Sequence, residues 1–285
     1  PLGRISVSQP LTLGEAVERA LQRVVRAREI DGDLLGISSG FPTLDEVTLG
    51  WQEQDLIIIA ARPSMGKTAF ALNAATAAAG AGVKVFIASL EMSTEQLAMR
   101  MPSSESGING RALRLGRVDE KDWQKIYDAY SQISELSILI DDTSSITETQ
   151  LAARVREAKP GLLIVDYLQL MKSAQSAQRR DLEIANITGA MKGLAKGLNI
   201  PVILLSQLSR EAARRDNSRP RLTDLWDSGA IEQDADVVIG IYRDIDYSPN
   251  VAELICLKHR NGPLGTVTLF FREELTSFWD AESQN

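Results

Sequence analysis

The chain has 285 residues, with 31 Lys and Arg against 38 Asp and Glu, a net charge of −7 and an isoelectric point near 5.0. No apolar run approaches the roughly 18 residues of a membrane span, and one cysteine (Cys256) with one histidine (His259) excludes a disulfide scaffold and a Cys/His zinc site. The acidic balance argues, on its face, against nucleic acid as a partner.

The opening Pro1-Leu2-Gly3 has no initiator Met and shows no signal-peptide pattern. It reads as a cloning remnant, with residues 1–11 a flexible lead into a piece of a longer protein. Thr12 and Glu15 have capping-box spacing, in which each side chain satisfies a free backbone N–H at a helix start. Leu13, Ala16, Val17, Ala20, Leu21, Val24 and Val25 then recur at helical spacing, which predicts one amphipathic helix within 12–33. Asp31-Gly32-Asp33 stops it.

The remaining residues, 34–285, read as one α/β domain. Short β-branched runs predict strands at 55–61, 83–89, 136–140, 162–166, 201–206, 236–242, 253–258 and 267–271. Helical patterns at 68–79, 94–101, 121–132, 147–159 and 182–198 separate the first five. That alternation predicts a mostly parallel twisted sheet with helices on both faces. The last strands have no helix between them and so predict antiparallel hairpins at the C-terminal end. Loops are expected at 172–181 and 209–221.

The first strand runs into Ala61-Arg62-Pro63-Ser64-Met65-Gly66-Lys67-Thr68 and then a helix, which is a Walker A loop in its proper setting of strand, loop and helix. Backbone N–H groups along Ser64, Met65, Gly66, Lys67, Thr68 and Ala69 are expected to face phosphate oxygens at a helix N-terminus, where the dipole is positive. Lys67 would reach the β- and γ-phosphates, and the Thr68 hydroxyl would join a Mg²⁺ shell. Ala61 stands where the strict motif has its first glycine. Leu162-Leu163-Ile164-Val165-Asp166 is the matching Walker B strand, with Asp166 placed to hold Mg²⁺ through water.

Two further strands deliver polar groups to the same sheet edge: Glu91 after 83–89, and Gln207 after 201–206. A carboxylate beside the γ-phosphate can act as general base toward water, and an amide there can sense phosphate loss. The competing readings are a first-turn helix charge for Glu91 and an exposed loop amide for Gln207.

Taken together, residues 61–73, Ser89-Leu90-Glu91-Met92-Ser93, Ile164-Val165-Asp166-Tyr167-Leu168-Gln169-Leu170, Leu205-Ser206-Gln207-Leu208-Ser209-Arg210, 228–238 and 258–266 closely resemble the C-terminal motor domain of bacterial DnaB-type replicative helicases. The resemblance spans residues 12 to 272 and implies a RecA-like P-loop NTPase core in a six-membered ring. It further implies ATP and Mg²⁺ at subunit boundaries, 5′→3′ travel on single-stranded DNA, and a bacterial or phage cytoplasmic setting with no membrane partner. Primase and a helicase loader are further partners it allows. By the same resemblance Glu91 is the catalytic carboxylate, Gln207 the γ-phosphate sensor, and Lys258 with Arg260 the basic pair inserted into a neighbour's site. Without it, Lys258 and Arg260 would read as two solvated charges on an edge strand. The helix within 12–33 would be the linker that docks on the adjacent subunit, docking on its own domain being the alternative.

DNA contact is expected from the two loops that follow the Walker B and Gln207 strands. Arg179 and Arg180 lie in one; Arg210 and Arg214 lie in the other. A third loop carries Trp226, Asp227 and Gly229, where the family's usual Arg-Glu-Ser-Gly is replaced by Trp226-Asp227-Ser228-Gly229. Trp226 could stack on a base or pack internally. Pro102 is expected to end the helix at 94–101 early. Two other functions fit the core motifs: an oligomeric ATPase of recombinase or clock type, and an ATP-gated DNA-binding scaffold without unwinding.

Overall fold

The computed structural model describes residues 10–29, 34–175, 179–209, 215, 218–225 and 228–280. Helix α1 (Leu13–Glu29) leads the chain. Its capping box forms as read: Thr12 N–H donates to Glu15 Oε2 at 2.7 Å, and Glu15 N–H donates to Thr12 Oγ1 at 3.3 Å. Its apolar stripe is uncovered, with Leu13, Val17, Leu21 and Val24 between 58 and 80% exposed.

The domain that follows is a nine-stranded sheet in the order β3-β2-β4-β5-β1-β6-β7-β8-β9. Strands β1 (Leu56–Ala61), β2 (Val85–Ser89), β3 (Ile138–Asp141), β4 (Leu162–Asp166), β5 (Val202–Gln207) and β6 (Val237–Arg243) pair in parallel. Strands β7 (Val251–His259), β8 (Gly265–Arg272) and β9 (Ser277–Asp280) extend the β6 edge antiparallel. This is the architecture expected from the sequence, with β9 added.

The continuous apolar runs are explained by burial on both faces, since side chains alternate along a strand. Ile57 and Ile59 of β1 face the cluster that includes Phe70 and Leu72 of α3 (Lys67–Gly80). Leu56 and Ile58 face the opposite cluster, with Leu151 of α7 (Glu148–Ala158) and Ile184 and Met191 of α8 (Arg180–Leu198). Six alanines of α3 are buried, at 69, 71, 74, 75, 78 and 79, which lets this helix lie close to the sheet.

Three helices were not legible in advance: α2 (Pro42–Thr48), α5 (Gly110–Leu115) and α9 (Ser228–Asp234). Helix α6 (Trp123–Ser134) is close to its expected bounds. Pro102 does not end its helix, for α4 runs Thr94–Ser106 with Pro102 inside it and buried. Proline removes one ladder hydrogen bond. Here the last turn is held instead by side chains, with Ser106 Oγ donating to Pro102 O at 2.6 Å and Ser103 Oγ donating to Ile108 O at 2.7 Å.

Candidate nucleotide site

Parallel strands place their C-terminal ends on one edge, and β1, β2, β4 and β5 all deliver candidate residues there. A cavity of 1140 Å³ opens on that edge, lined by Ser64, Gly66, Lys67, Thr68 and Ala69 of the Walker A loop together with Glu91 and Gln207. Met65, whose backbone N–H is the group expected to face phosphate, packs its side chain into the core. Ser64 and Gly66 both take positive φ, 66° and 96°. Those values curl the loop so that it delivers its N–H groups to the start of α3.

Ala61 needs no glycine: it is the last residue of β1, paired with Gln207 on one side and Ile241 on the other, and its side chain joins the core. Gly66 does need to be glycine. A β-carbon there would lie 2.8 Å from the ring of Phe278 in β9, and 3.3 Å from that of Phe271 in β8. Phe278 also crosses Phe70 of α3 edge-on, at a centroid distance of 5.9 Å, while its N–H donates to Asn73 Oδ1 at 2.8 Å. The C-terminal strands therefore brace the loop from below. Arg243 adds to this, almost fully buried. Its guanidinium lies 4.1 Å from the Phe271 centroid and donates to Ser64 O at 3.3 Å and to Pro249 O at 2.7 Å.

Asp166 is buried at the end of β4, where Thr68 Oγ1 donates to its Oδ2 at 2.6 Å and Lys67 Nζ stands 3.7 Å from its Oδ1. That Oδ1 is fully buried and accepts no hydrogen bond. A buried oxygen left without a donor beside a helix N-terminus fits the water shell of a divalent cation. Among the described residues, no group of three His, Cys, Asp or Glu side chains could hold a metal ion. A cation here would thus depend on Thr68, on Asp166 and on ligands brought by the nucleotide. Burial pushes the Lys67 ammonium below its usual range, and the neighbouring Asp166 and Glu91 charges oppose that shift. Lys67 also lies 4.0 Å over the Tyr167 ring.

Cations missed in the sequence also line the cavity, Arg62, Arg100, Arg111 and Arg114, alongside Glu95, Glu273 and Glu274. Burial lowers the Arg100 guanidinium from its usual value. The signal for Arg100 was present: Gln96, Met99 and Arg100 follow i, i+3, i+4 spacing on α4 and share its cavity-facing side.

Lys258 and Arg260 lie elsewhere. In the β6–β7 pairing Lys258 stands opposite Val238 and His259 opposite Val237, and Val237 is beside Ile57 near the start of β1. The Walker A loop leaves the other end of that strand, about 13 Å away at 3.3 Å per residue. Lys258 Nζ donates to Ala235 O at 2.6 Å and to Glu232 O, and Arg260 Nη1 donates to Asp236 Oδ1 at 3.2 Å. The structure therefore does not bring this pair to the chain's own nucleotide edge.

Of the expected DNA residues, Arg179 pairs with Asp181 and Arg180 with Glu183. Both sit at the start of α8, on the chain that leaves β4 at the cavity edge. Gly229 opens into free space at the start of α9. Arg210, Arg214, Trp226 and Asp227 lie outside the described residues. In the same region Arg215 is paired with Asp224 and Arg219 with Glu253. Arg215 and Arg219 thus each share their charge with a carboxylate.

Residues 36–280 match the model of the DnaB-like helicase C-terminal domain. The chain belongs to that family. It is 46% identical over 263 residues to the replicative DNA helicase DnaB of Geobacillus stearothermophilus, covering 88% of this chain and 58% of the relative. With the DnaB of Pasteurella multocida it shares 43% over 284 residues, covering 94% and 61%. The chain thus spans a little over half the length of these relatives. Among solved structures, the ATPase domain of G40P superposes with a TM-score of 0.89 at 36% identity, covering 95% of this chain and 99% of that one. A DnaB-like replicative helicase, solved in a study of its interactions with primase, gives 0.87 at 36% identity, covering 95% and 67%.

Proposed function

We propose that this chain is the motor part of a replicative helicase, which hydrolyses ATP with Mg²⁺ at boundaries between copies and moves 5′→3′ along single-stranded DNA. The observation that carries this reading is the separation of Lys258 and Arg260 from the Walker A loop. Each copy holds a phosphate site at one strand edge and a basic pair at the other. A head-to-tail array joins the two, and closes into a ring when the rotation permits. A six-membered ring in a bacterial or phage cytoplasm fits the family, as do contacts with primase and a loader.

In this reading Ser64, Gly66, Lys67, Thr68 and Ala69 hold the triphosphate, with Lys67 on the β- and γ-phosphates. Thr68 and Asp166 would hold Mg²⁺, which when bound spreads the phosphate charge and helps fix in-line geometry. Glu91 projects into the cavity, placed to take a proton from the attacking water. Gln207 faces the same space and donates to the γ-phosphate oxygens. Arg260 from the next copy stabilises the negative charge that develops on transfer, and this requires a closed interface. DNA would follow the chain segments after β4 and β5, with Arg179, Arg180, Arg210 and Arg214 on backbone phosphates and Trp226, Asp227 and Gly229 in the adjoining loop. Helix α1 would cover its exposed stripe on the neighbouring copy.

The test is a mixing experiment. Lys67→Ala and Arg260→Ala chains should each lack DNA-stimulated ATPase activity while Arg260→Ala still binds nucleotide. Mixed in equal amounts they should regain part of it, since some interfaces then pair an intact loop with an intact arginine. No recovery across ratios, with mixed assemblies shown by sedimentation, would overturn the reading.

A further inference from the structure

The side chain of Gln169 makes a contact that none of the expected roles explains. The β4–β5 ladder ends at Val165 opposite Leu204. Beyond it, β4 turns away through Tyr167 into a single helical turn at Leu168–Leu170. Strand β5 continues past that point to Ser206 and Gln207, with no strand on its β4 side among the described residues. Gln169 fills the gap. Its Nε2 donates to Ser206 Oγ at 3.0 Å and to Gln207 O at 3.4 Å, and the Gln207 N–H donates to its Oε1 at 3.2 Å. One amide side chain thus replaces the missing strand.

The other flank of Gln207 pairs with Ala61, whose carbonyl accepts from Leu208 N–H at 3.0 Å. Gln207 is therefore gripped on both sides, by the residue that leads into the Walker A loop and by Gln169. The grip extends further. The Gln169 carbonyl accepts from Arg180 Nη2 at 2.9 Å, as does the Met171 carbonyl at 3.3 Å. Arg180 opens α8, at the end of the segment that leaves the Walker B strand. A run of hydrogen bonds therefore joins Arg180, Gln169 and the Gln207 backbone.

We infer that Gln169 is a positioning residue, which fixes the Gln207 amide toward the γ-phosphate and links it to the segment ending at Arg180. This rests on the proposed sensor role of Gln207. Removing the Gln169 amide frees the end of β5 on one side, so that Gln207 samples other orientations. Nucleotide would still bind, because the Walker A loop keeps its own brace from Phe278 and Arg243. Turnover would fall, because the group that responds to the γ-phosphate is no longer held.

The experiment is a double-mutant cycle on the purified chain, with Gln169→Ala, Gln207→Ala and the pair, reading ATPase kcat with and without oligo-dT and affinity for a fluorescent ATP analogue. Gln169→Ala is expected to lower kcat about ten-fold, to reduce stimulation by oligo-dT, and to leave analogue affinity within about two-fold. The double variant should be no slower than Gln207→Ala alone, because both remove one function. Gln169→Glu, whose carboxylate can still accept from Gln207 N–H and Ser206 Oγ, should recover part of the loss. Independent losses that multiply, an unchanged kcat, or a matching loss of analogue affinity would each overturn the assignment. A Gln207→Ala chain with full kcat would instead overturn the sensor reading beneath it.

Discussion

Phe278 occupies the space that any side chain on residue 66 would need: a β-carbon there would lie 2.8 Å from its ring. The positive φ of 96° adds a second demand for glycine. Gly66→Ala should therefore cut nucleotide affinity by well over ten-fold, about 1.4 kcal/mol or more. Pairing it with Phe278→Ala should not restore binding, because the backbone strain remains. Phe278→Ala alone should cost about 3 kcal/mol of stability, as expected for a buried aromatic, and weaken nucleotide binding with it. Urea titration with and without nucleotide separates the two effects.

The buried Oδ1 of Asp166 has no hydrogen-bond donor, and Thr68 donates to the other oxygen. Asp166→Asn keeps the shape and the Thr68 contact but removes the charge. Half-saturation by Mg²⁺ in the ATPase assay should rise about ten-fold or more, a loss of roughly 1.4 kcal/mol. Affinity for metal-free nucleotide should change little or improve, because Asp166 no longer repels phosphate. Titrating Mg²⁺ at fixed nucleotide checks this.

Asp55 supplies a pH dependence. Burial, with the Asp236 charge beside it, pushes its carboxyl up from 3.8 to about 6. The folded chain then keeps a proton that the unfolded chain releases between those values. For this group stability is greatest at the acid end and falls as pH rises through 6, leaving a charged carboxylate as a cost at neutrality. The full shift would be worth about 3 kcal/mol, reduced by partial solvation to roughly 1–2 kcal/mol. Asp55→Asn should raise the melting temperature at pH 7 and flatten the slope between pH 4 and 6. Thermal unfolding across that range, compared with the parent chain, is the measurement.

The stripe on α1 offers a test of assembly. Val17 and Leu21 are 58% and 62% exposed, so Val17→Glu and Leu21→Glu should leave the melting temperature of the domain nearly unchanged. Sedimentation velocity should show the double variant shifted to smaller species, with ATPase activity per chain reduced in parallel. An unaltered distribution would remove α1 from the interface.

The central strands were legible because burial on both faces leaves no room for polar residues, so each appears as an unbroken apolar run. The Walker motifs were legible because phosphate binding constrains residue type and spacing together. Strand β9 was not, because four residues, Ser277 to Asp280, carry too little pattern. What holds it is remote: Phe278 N–H donates to Asn73, while Asp280 accepts from Thr43 N–H at 2.8 Å. Helix α2 starts at the same Thr43 contact and was missed for the same reason. Pro102 misled because a local steric rule ignores what surrounds the helix. Nothing in the sequence marks Arg243, whose seat beneath Ser64 depends on packing against Phe271. The pairing of Arg215 with Asp224 and of Arg219 with Glu253 was not legible either, because it depends on how the chain folds back.

The brace beneath the Walker A loop has a consequence for biogenesis. The loop emerges early in synthesis, but the rings that seat it belong to residues 271 and 278, and the Asn73–Phe278 bond closes over a separation of 205 residues. Domains generally fold as units as the chain is made, and contacts this distant in sequence form late. A nascent chain stopped before β9 would thus display the full motif and still lack a formed phosphate cradle. The far end of the sheet, not the motif itself, therefore sets when the loop can take its folded shape.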